Sequence, residues 1–350
     1  MKKIIALSLA LLLCVALLAG CGSKDGGGKT APSGEGKTYK VGIVNYVDDA
    51  SLNQIVKNLE ARLDEAGKEH NVKFDYEPYY DNAQADSAIL NQIGADMVAD
   101  QVDVIVAVAT PTALTMMSAT EDTDIPIVFA AVSDPVGSGI VAAMDKPGGK
   151  VTGTSDGLDA KALINLMVAA DSDIKKVGLL YDTAQDASTA AIADAKQILG
   201  GMNIEVVEKT GSTTDEVLLA AQALVAEGVD AVFTPTDNTI MAAEQAIFEV
   251  FAEAGIPHYA GADSFALWGA FVGYGVDYAV LGTATGDIVV DILVNGKDPA
   301  TYPVKTFENG IVSVNTETCA KIGFDLETIK KAFSGIAVEF RELTTQAEFD

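Results

Sequence analysis

From Tyr39 onward, short apolar β-branched runs alternate with amphipathic segments, and the chain goes through that alternation twice. In the first half "YKVGIVNY" precedes a segment from Ser51 to Gly67 whose apolar positions Leu52, Ile55, Val56, Leu59 and Leu63 have helical spacing. "VKFDYEPY", a helix from about Gln84 to Asp100, "VDVIVAV", a helix from Pro111 and "IPIVFAAV" follow. Apolar strands alternating with helices predict a parallel sheet covered on both faces, because each strand must be buried on both sides.

The second half repeats the order: "KKVGLLYD" at 175–182, a helix over Ala187–Leu199, "NIEVVEKT", a helix over Thr214–Glu227, "VDAVFTP", a helix to Gly255 and "IPHYAG". The parallels are also local. "VDVIVAVATPT" at 102–112 matches "VDAVFTPTDN" at 229–238, and "DIPIVFAAVSD" matches "GIPHYAGADS". The expected fold class is therefore α/β, with two similar doubly wound parallel-sheet lobes joined by hinge crossings. "GGKVTGTSD" at 148–156 and "FVGYGVDY" mark the crossings, and helix 279–296 with the short strands "YPVKTF" and "GIVSVN" finishes the chain. The first lobe is expected over 39–152 plus about 277–350 and the second over 153–276, with the C-terminal segment open to sharing between them.

Ligands of open parallel sheets bind where strands end and helix N-termini begin. There the sequence places Thr110, Pro111 and Thr112; Ser133 and Asp134; Thr236, Asp237 and Asn238; and Asp263 with Ser264. Any one of these is an ordinary helix cap; four at equivalent ends of two lobes point to a cleft. Hydroxyls and helix N-termini suit a carboxylate, while Asp237 and Asp263 suit an ammonium group, so the set describes a zwitterion. Tyr46, Phe129 and Tyr274 are candidates for the apolar wall, although Phe129 sits inside a strand and reads more simply as core. Asp48-Asp49 is a carboxylate pair on a loop, a pattern that more often faces water. His70 and His258 have no Gly-x-Ser-x-Gly elbow near them, no His/Cys metal spacing occurs, and the first strand lacks the dinucleotide glycine signature. No cofactor or metal is expected.

The N-terminus carries a different message. Lys2 and Lys3 precede the apolar run Ile4–Leu18, which is shorter than the roughly 20 residues that span a bilayer. "LAGC" then ends at Cys21, and no large apolar residue follows through Thr38. Residues 1–20 read as a secretory leader and 21–38 as a flexible leash, and "LAGC" resembles the lipobox of bacterial lipoproteins, a resemblance that implies lipidation of Cys21. Two or more acyl chains would hold the body on the membrane surface. The chain has 50 acidic against 23 basic residues, a net charge of −27, and the balance grows two units more negative without Lys2 and Lys3. Such a polyanion excludes nucleic acid as a partner. With Cys14 in the leader and Cys21 acylated, Cys319 has no disulfide partner.

The runs "IVAVATPTA", "PIVFAAVSDPVGSG", "GGKVTGTSD", "VFTPTDNT" and "GYGVDY" resemble the ABC transporter substrate-binding lipoproteins of the tryptophan/tyrosine type, over roughly 39–335. The resemblance implies a periplasmic-binding-protein fold of type I, lobe closure by hinge bending, and no enzymatic activity. It also implies an amino acid or similar ligand, aromatic ones included. The partner would be a permease with its ATPase, and the protein a monomer anchored by lipid on the extracytoplasmic face of the cell membrane. Carried over by position, the site comprises Thr110, Thr112, Ser133, Asp134, Ser155, Thr236, Asp237, Asn238, Asp263 and Tyr274, with Asn45 and Tyr46 after the first strand. There "NYVDDASLN" stands where members often show Gln-Phe/Tyr-Val-Glu-His-Pro-Ala-Leu-Asp, which bears on specificity for aromatic amino acids. Two rivals share these features: a sensory receptor of the same fold, and a secreted enzyme on a two-lobe scaffold.

Overall fold

The computed structural model describes residues 36–349; the leader, Cys21 and most of the leash lie outside them. The first lobe is built from β1 (Thr38–Asn45), α1 (Ala50–His70), β2 (Lys73–Asp75), β3 (Tyr80–Asn82), α2 (Ser87–Ala99), β4 (Val104–Val108), α3 (Thr110–Ala119), β5 (Ile127–Ala130) and β6 (Val151–Ser155). The chain then crosses to α4 (Ala160–Ala170), β7 (Lys176–Tyr181), α5 (Asp186–Gly201), β8 (Glu205–Thr210), α6 (Thr214–Glu227), β9 (Ala231–Thr234), α7 (Asn238–Glu253), β10 (His258–Ala260), α8 (Asp263–Leu267) and β11 (Val272–Gly275). It returns through α9 (Tyr278–Leu293) and β12 (Lys305–Thr306), and crosses a third time into β13 (Ile311–Asn315), α10 (Thr316–Lys321), α11 (Leu326–Phe333) and β14 (Glu339–Leu343).

Two seven-stranded sheets result. One has the order β12-β6-β5-β4-β1-β2 with β3 also on β1, the other β14-β13-β11-β10-β9-β7-β8. All pairings are parallel except that of β11 with β13, where the third crossing brings the chain in from the opposite direction. In the first sheet β1 leads to β2 on one side while β4 leads to β5 on the other. Right-handed crossovers therefore put α1 and α3 on opposite faces. Strands covered on both sides must be apolar throughout, and β4, β5, β9 and β11 are buried at every position.

The expected lobe boundaries shift. β6 pairs with β5 from Val151 to Gly153 and belongs to the first sheet, so the first crossing begins after Ser155. The tail divides as well: α9 and β12 stay with the first lobe, whereas β13 and β14 extend the second sheet. Two helix starts also differ. Left-handed backbone at Gln84 and Ala85 delays α2 until Asp86 caps it. α3 begins at Thr110 itself, so Thr110 is the first helical residue and not the cap.

The lobes are knitted together where the chain crosses. Tyr278, just after the second crossing, donates its hydroxyl to Asp156 of the first at 3.2 Å. Asn309 of the third crossing donates to the Gly157 carbonyl at 2.7 Å. Beside them α9 lies along α1, and Gly282 makes that approach close: a Cβ there would strike the backbone of Ile55. Gly282→Ala is therefore expected to force the two helices apart and cost about 1–3 kcal/mol. Denaturant unfolding will show it as a lower midpoint at unchanged slope, and an unchanged midpoint would refute the close packing.

Candidate functional site

A crevice opens in a doubly wound sheet where successive connections leave in opposite directions. In the first lobe that reversal falls between β1 and β4, and in the second between β7 and β9. The residues leaving those strands are Asn45 and Tyr46, Thr110, Asp182, and Thr236 to Asn238. Tyr46, Thr110 and Asp182 of this set meet at a cleft of about 630 Å³ between the lobes, walled by Tyr46, Thr110 and Leu114 on one side and by Asp182, Gln185 and Thr239 on the other, whereas Asn45 and Thr236 to Asn238 do not line it.

The entry to α3 is strained. Ala109 has φ 76° and ψ 157°, a backbone shape that L residues avoid. Its amide donates to the Ala130 carbonyl at 2.9 Å, and its carbonyl accepts from Ala113 at 3.1 Å, so the surrounding structure enforces it. No side chain caps α3, and Thr110 and Pro111 of its first turn line the cleft. The Thr110 and Thr112 hydroxyls are buried with no hydrogen-bond partner, as are one oxygen each of Asn45, Asp49 and Asp263 and the Ser264 hydroxyl. A buried polar group without a partner costs about 1–3 kcal/mol. Of these, Thr110 lines the cleft, while Asp49, Asp263 and Ser264 lie outside its wall.

Other expected site residues are committed to the protein itself. Asp237 is completely buried and saturated: one oxygen accepts from the Thr239 and Ile240 amides, both at 3.0 Å, and the other from the Asp182 amide at 2.8 Å and the Ser188 hydroxyl at 2.6 Å. It caps α7 and ties that helix to the end of β7. Burial pushes its carboxyl up to about 6 against the pull of these donors. Thr236 donates to the Gly261 carbonyl at 3.0 Å, Asn238 donates to Gln185 at 3.0 Å, and Asp134 caps a turn through the Gly137 amide at 2.8 Å. Tyr274 packs within the apolar core of the second lobe, where burial pushes its phenol up to about 12. Ser133 donates to Asp156 at 3.0 Å and Ser155 to the Ser133 carbonyl at 3.4 Å, which places both in the hinge network.

The pentapeptide Gly153-Thr154-Ser155-Asp156-Gly157 has the spacing of a nucleophile elbow. Its serine has no histidine partner: His258 lies in the second lobe, bonded to Glu244 at 3.2 Å and Thr234 at 2.8 Å. Among the described residues no group of three His, Cys, Asp or Glu side chains forms a metal site, and no helix is long and apolar enough to cross a membrane.

Sequence reasoning passed over Asp182, Gln185, Asp49 and Asp156. The first was accessible to the strand-end rule, since it directly follows β7. The pair Asp48-Asp49 predicts two solvated carboxylates, yet only Asp48 is exposed; Asp49 is fully buried and caps α1 by accepting from the Leu52 amide at 3.0 Å.

Because Asp237 serves the scaffold, Asp237→Ala is expected to lower the stability of the protein without any ligand by about 2 kcal/mol, through the lost cap and the orphaned donors. Chemical denaturation measures this directly; wild-type stability in the variant would return Asp237 to the list of ligand contacts.

The model of the family described as "ABC transporter substrate binding protein" matches residues 40–333. A "Tyrosine-binding protein" from Clostridioides difficile (strain R20291) is 33% identical over 322 residues, 91% of each chain. Among solved structures, a domain from Streptococcus pneumonia in complex with L-Trp is 28% identical with a TM-score of 0.79, covering 87% of this chain and all of that one. A substrate binding protein with adhesive properties from Clostridium difficile, solved ligand-free and open, is 29% identical with a TM-score of 0.64, covering 88% of this chain and all of that one. With two type I periplasmic-binding lobes and a matched family model over most of its length, the chain belongs to the ABC transporter substrate-binding protein family.

Proposed function

We propose that the protein is a lipid-anchored receptor that closes its two lobes on a free amino acid outside the cell and presents it to an ABC permease. The observation that carries this reading is the buried, unpartnered hydroxyl of Thr110 in the first turn of α3, on the wall of a cleft between two lobes. The first turn of α3 offers unpaired amides and the positive end of a helix dipole, and Thr110 and Thr112 add two hydroxyl donors, which together suit an α-carboxylate. Across the cleft one oxygen of Asp182 accepts from the Ala184 amide at 2.9 Å and the Ser212 hydroxyl at 2.8 Å, and the other accepts only from the Thr239 hydroxyl at 2.8 Å, which leaves a lone pair for an ammonium group. Asp182 takes the place in this reading that the sequence offered to Asp237. Tyr46, Leu114 and Pro111 provide an apolar side to the cleft, in keeping with an aromatic or aliphatic side chain. The relatives that hold tyrosine and L-Trp support the same ligand class.

Closure around the ligand brings binding energy from both lobes and creates the surface that a permease distinguishes from the open form. The body hands its ligand on unchanged, and the acyl chains on Cys21 keep it within reach of the transporter as a monomer.

Thermal unfolding of the protein against the twenty amino acids tests the ligand class. A ligand at about 100 times its dissociation constant adds about 2.7 kcal/mol to stability. An aromatic or aliphatic amino acid is expected to raise the midpoint by several degrees, and Thr110→Val and Asp182→Asn to remove most of that rise. A shift produced only by sugars or nucleosides would overturn the amino acid reading. The anchor is tested separately by labelled fatty acid fed to a bacterial host: wild-type chain should incorporate label and Cys21→Ala none, whereas equal labelling would exclude Cys21.

A further inference from the structure

Away from the cleft, the lobes also meet along a seam between the start of α1 and the short α8. Ser51 donates its hydroxyl to Asp263 at 2.6 Å, and the Ser264 amide donates back to Ser51 at 3.1 Å. Two carboxyls flank this exchange, Asp49 from the first lobe and Asp263 from the second. Asp49 is fully buried and Asp263 is 4% exposed, and each keeps one oxygen with no hydrogen-bond partner. The Ser264 hydroxyl makes no well-formed hydrogen bond, but it lies close enough to Asp49 to favour its charged form in part.

The charges facing the pair come from every neighbouring element. Arg341 of β14 reaches Asp263 only at 3.9 Å, because its other nitrogens hold Asp277 at 2.8 Å and Glu339 at 2.6 Å. Asp277 at the start of α9 repels Asp263, and the Tyr278 phenol lies close enough to feel both carboxylates. Asp263 repels Asp49 in turn, and what favours the charged form of Asp49 is hydrogen bonding from the Leu52 and Ser51 amides and from Ser264. Closing the lobes therefore brings a second buried carboxylate against the first with a single, distant cation to offset it.

We propose that the buried carboxyls Asp49 and Asp263 form a proton-dependent latch across the seam, so that lobe closure takes up one proton from solvent and is favoured in acid. The proton goes from solvent onto an unpartnered oxygen of one of the two carboxyls, which removes the repulsion between them; no bond to carbon changes. Burial is the main cause that pushes Asp49 up to about 7 and Asp263 up to about 6 in the closed form. Opened to water, each returns toward an ordinary carboxylate near 4. The sign follows from that difference: the proton's contribution to closure is complete below about pH 4 and is lost as pH rises through about 7. The inference takes from the proposed function only that the lobes open and close.

The test needs no ligand. Trp268 is the single tryptophan of the chain, directly follows α8, and donates its indole N–H to the Ala347 carbonyl at 2.9 Å, so its emission reports on the seam. In the full-length protein, the closed-to-open ratio read from Trp268 is expected to fall about tenfold between pH 5.5 and 7.5. Asp49→Asn keeps an oxygen for the Leu52 amide and places a permanent donor where the proton would sit, so its emission should stay at the acid value throughout. Asp263→Asn should behave likewise if Asp49→Asn does not fold. A wild-type signal that is flat with pH, or variants that follow the wild-type curve, overturn the latch. With L-tyrosine as added probe, wild type should bind about tenfold more tightly at pH 5.5 than at 7.5, and Asp49→Asn equally at both. If L-tyrosine binds at neither pH while the Trp268 curve behaves as expected, the ligand assignment fails and the latch stands.

Discussion

Parallel strands all end at one edge of their sheet, and the whole molecule depends on how that edge is used. Each strand end releases a chain segment with an unpaired amide or the start of a helix, which a lone lobe would leave to water. Crossing the chain three times between two such lobes turns the two edges toward each other, and the strand ends become the walls of a cleft. The cleft is thus a product of topology, and chemistry enters only through which side chains occupy the reversal points between β1 and β4 and between β7 and β9.

That division explains what could be read from the sequence. Alternating β-branched runs and amphipathic segments carry their own periodicity, so the two lobes, their duplication and most helices are visible without coordinates. α6 falls where its pattern ends, over Thr214–Glu227. Features that depend on pairing in space are not visible: whether "GGKVTGTSD" is a crossing or a strand is settled by Phe129 of β5, against whose backbone Gly153 lies too close for any side chain. β13 and β14 join the second sheet because the third crossing delivers them there, a fact with no local signal in their few residues.

The site shows the same limit at finer scale. Asp182, Asp237 and Asp263 all follow strands and look alike in sequence, yet their lone pairs are used differently. Asp237 is saturated by two helix amides, a neighbouring strand end and a serine, so it builds the scaffold that holds Asp182 in place. Asp156 is likewise consumed, by Ser133 and Tyr278, in a bond between two crossings. A residue type suited to a ligand is equally suited to a helix cap, and only counting partners separates the two uses.

The acidity of the chain has a consequence that its net charge alone does not convey. Carboxylates at a helix N-terminus or beside backbone amides are stabilised singly, and the surface spreads the remainder through water, where repulsion is weak. The places where two lobes must close are the exception. There, Asp49, Asp156 and Asp263 leave solvent; Asp156 is provided with donors, while the other two are only partly served. An apolar pair at the Asp49–Asp263 seam would close more firmly but would also stay closed. Carboxyls that need Ser51, Ser264 and a proton for burial hold the closed state only weakly, leaving most of the driving force for closure to the ligand. A receptor that must release what it captures requires that balance: a hinge firmly bonded at the crossings, and a seam whose closure is marginal without a proton or a ligand.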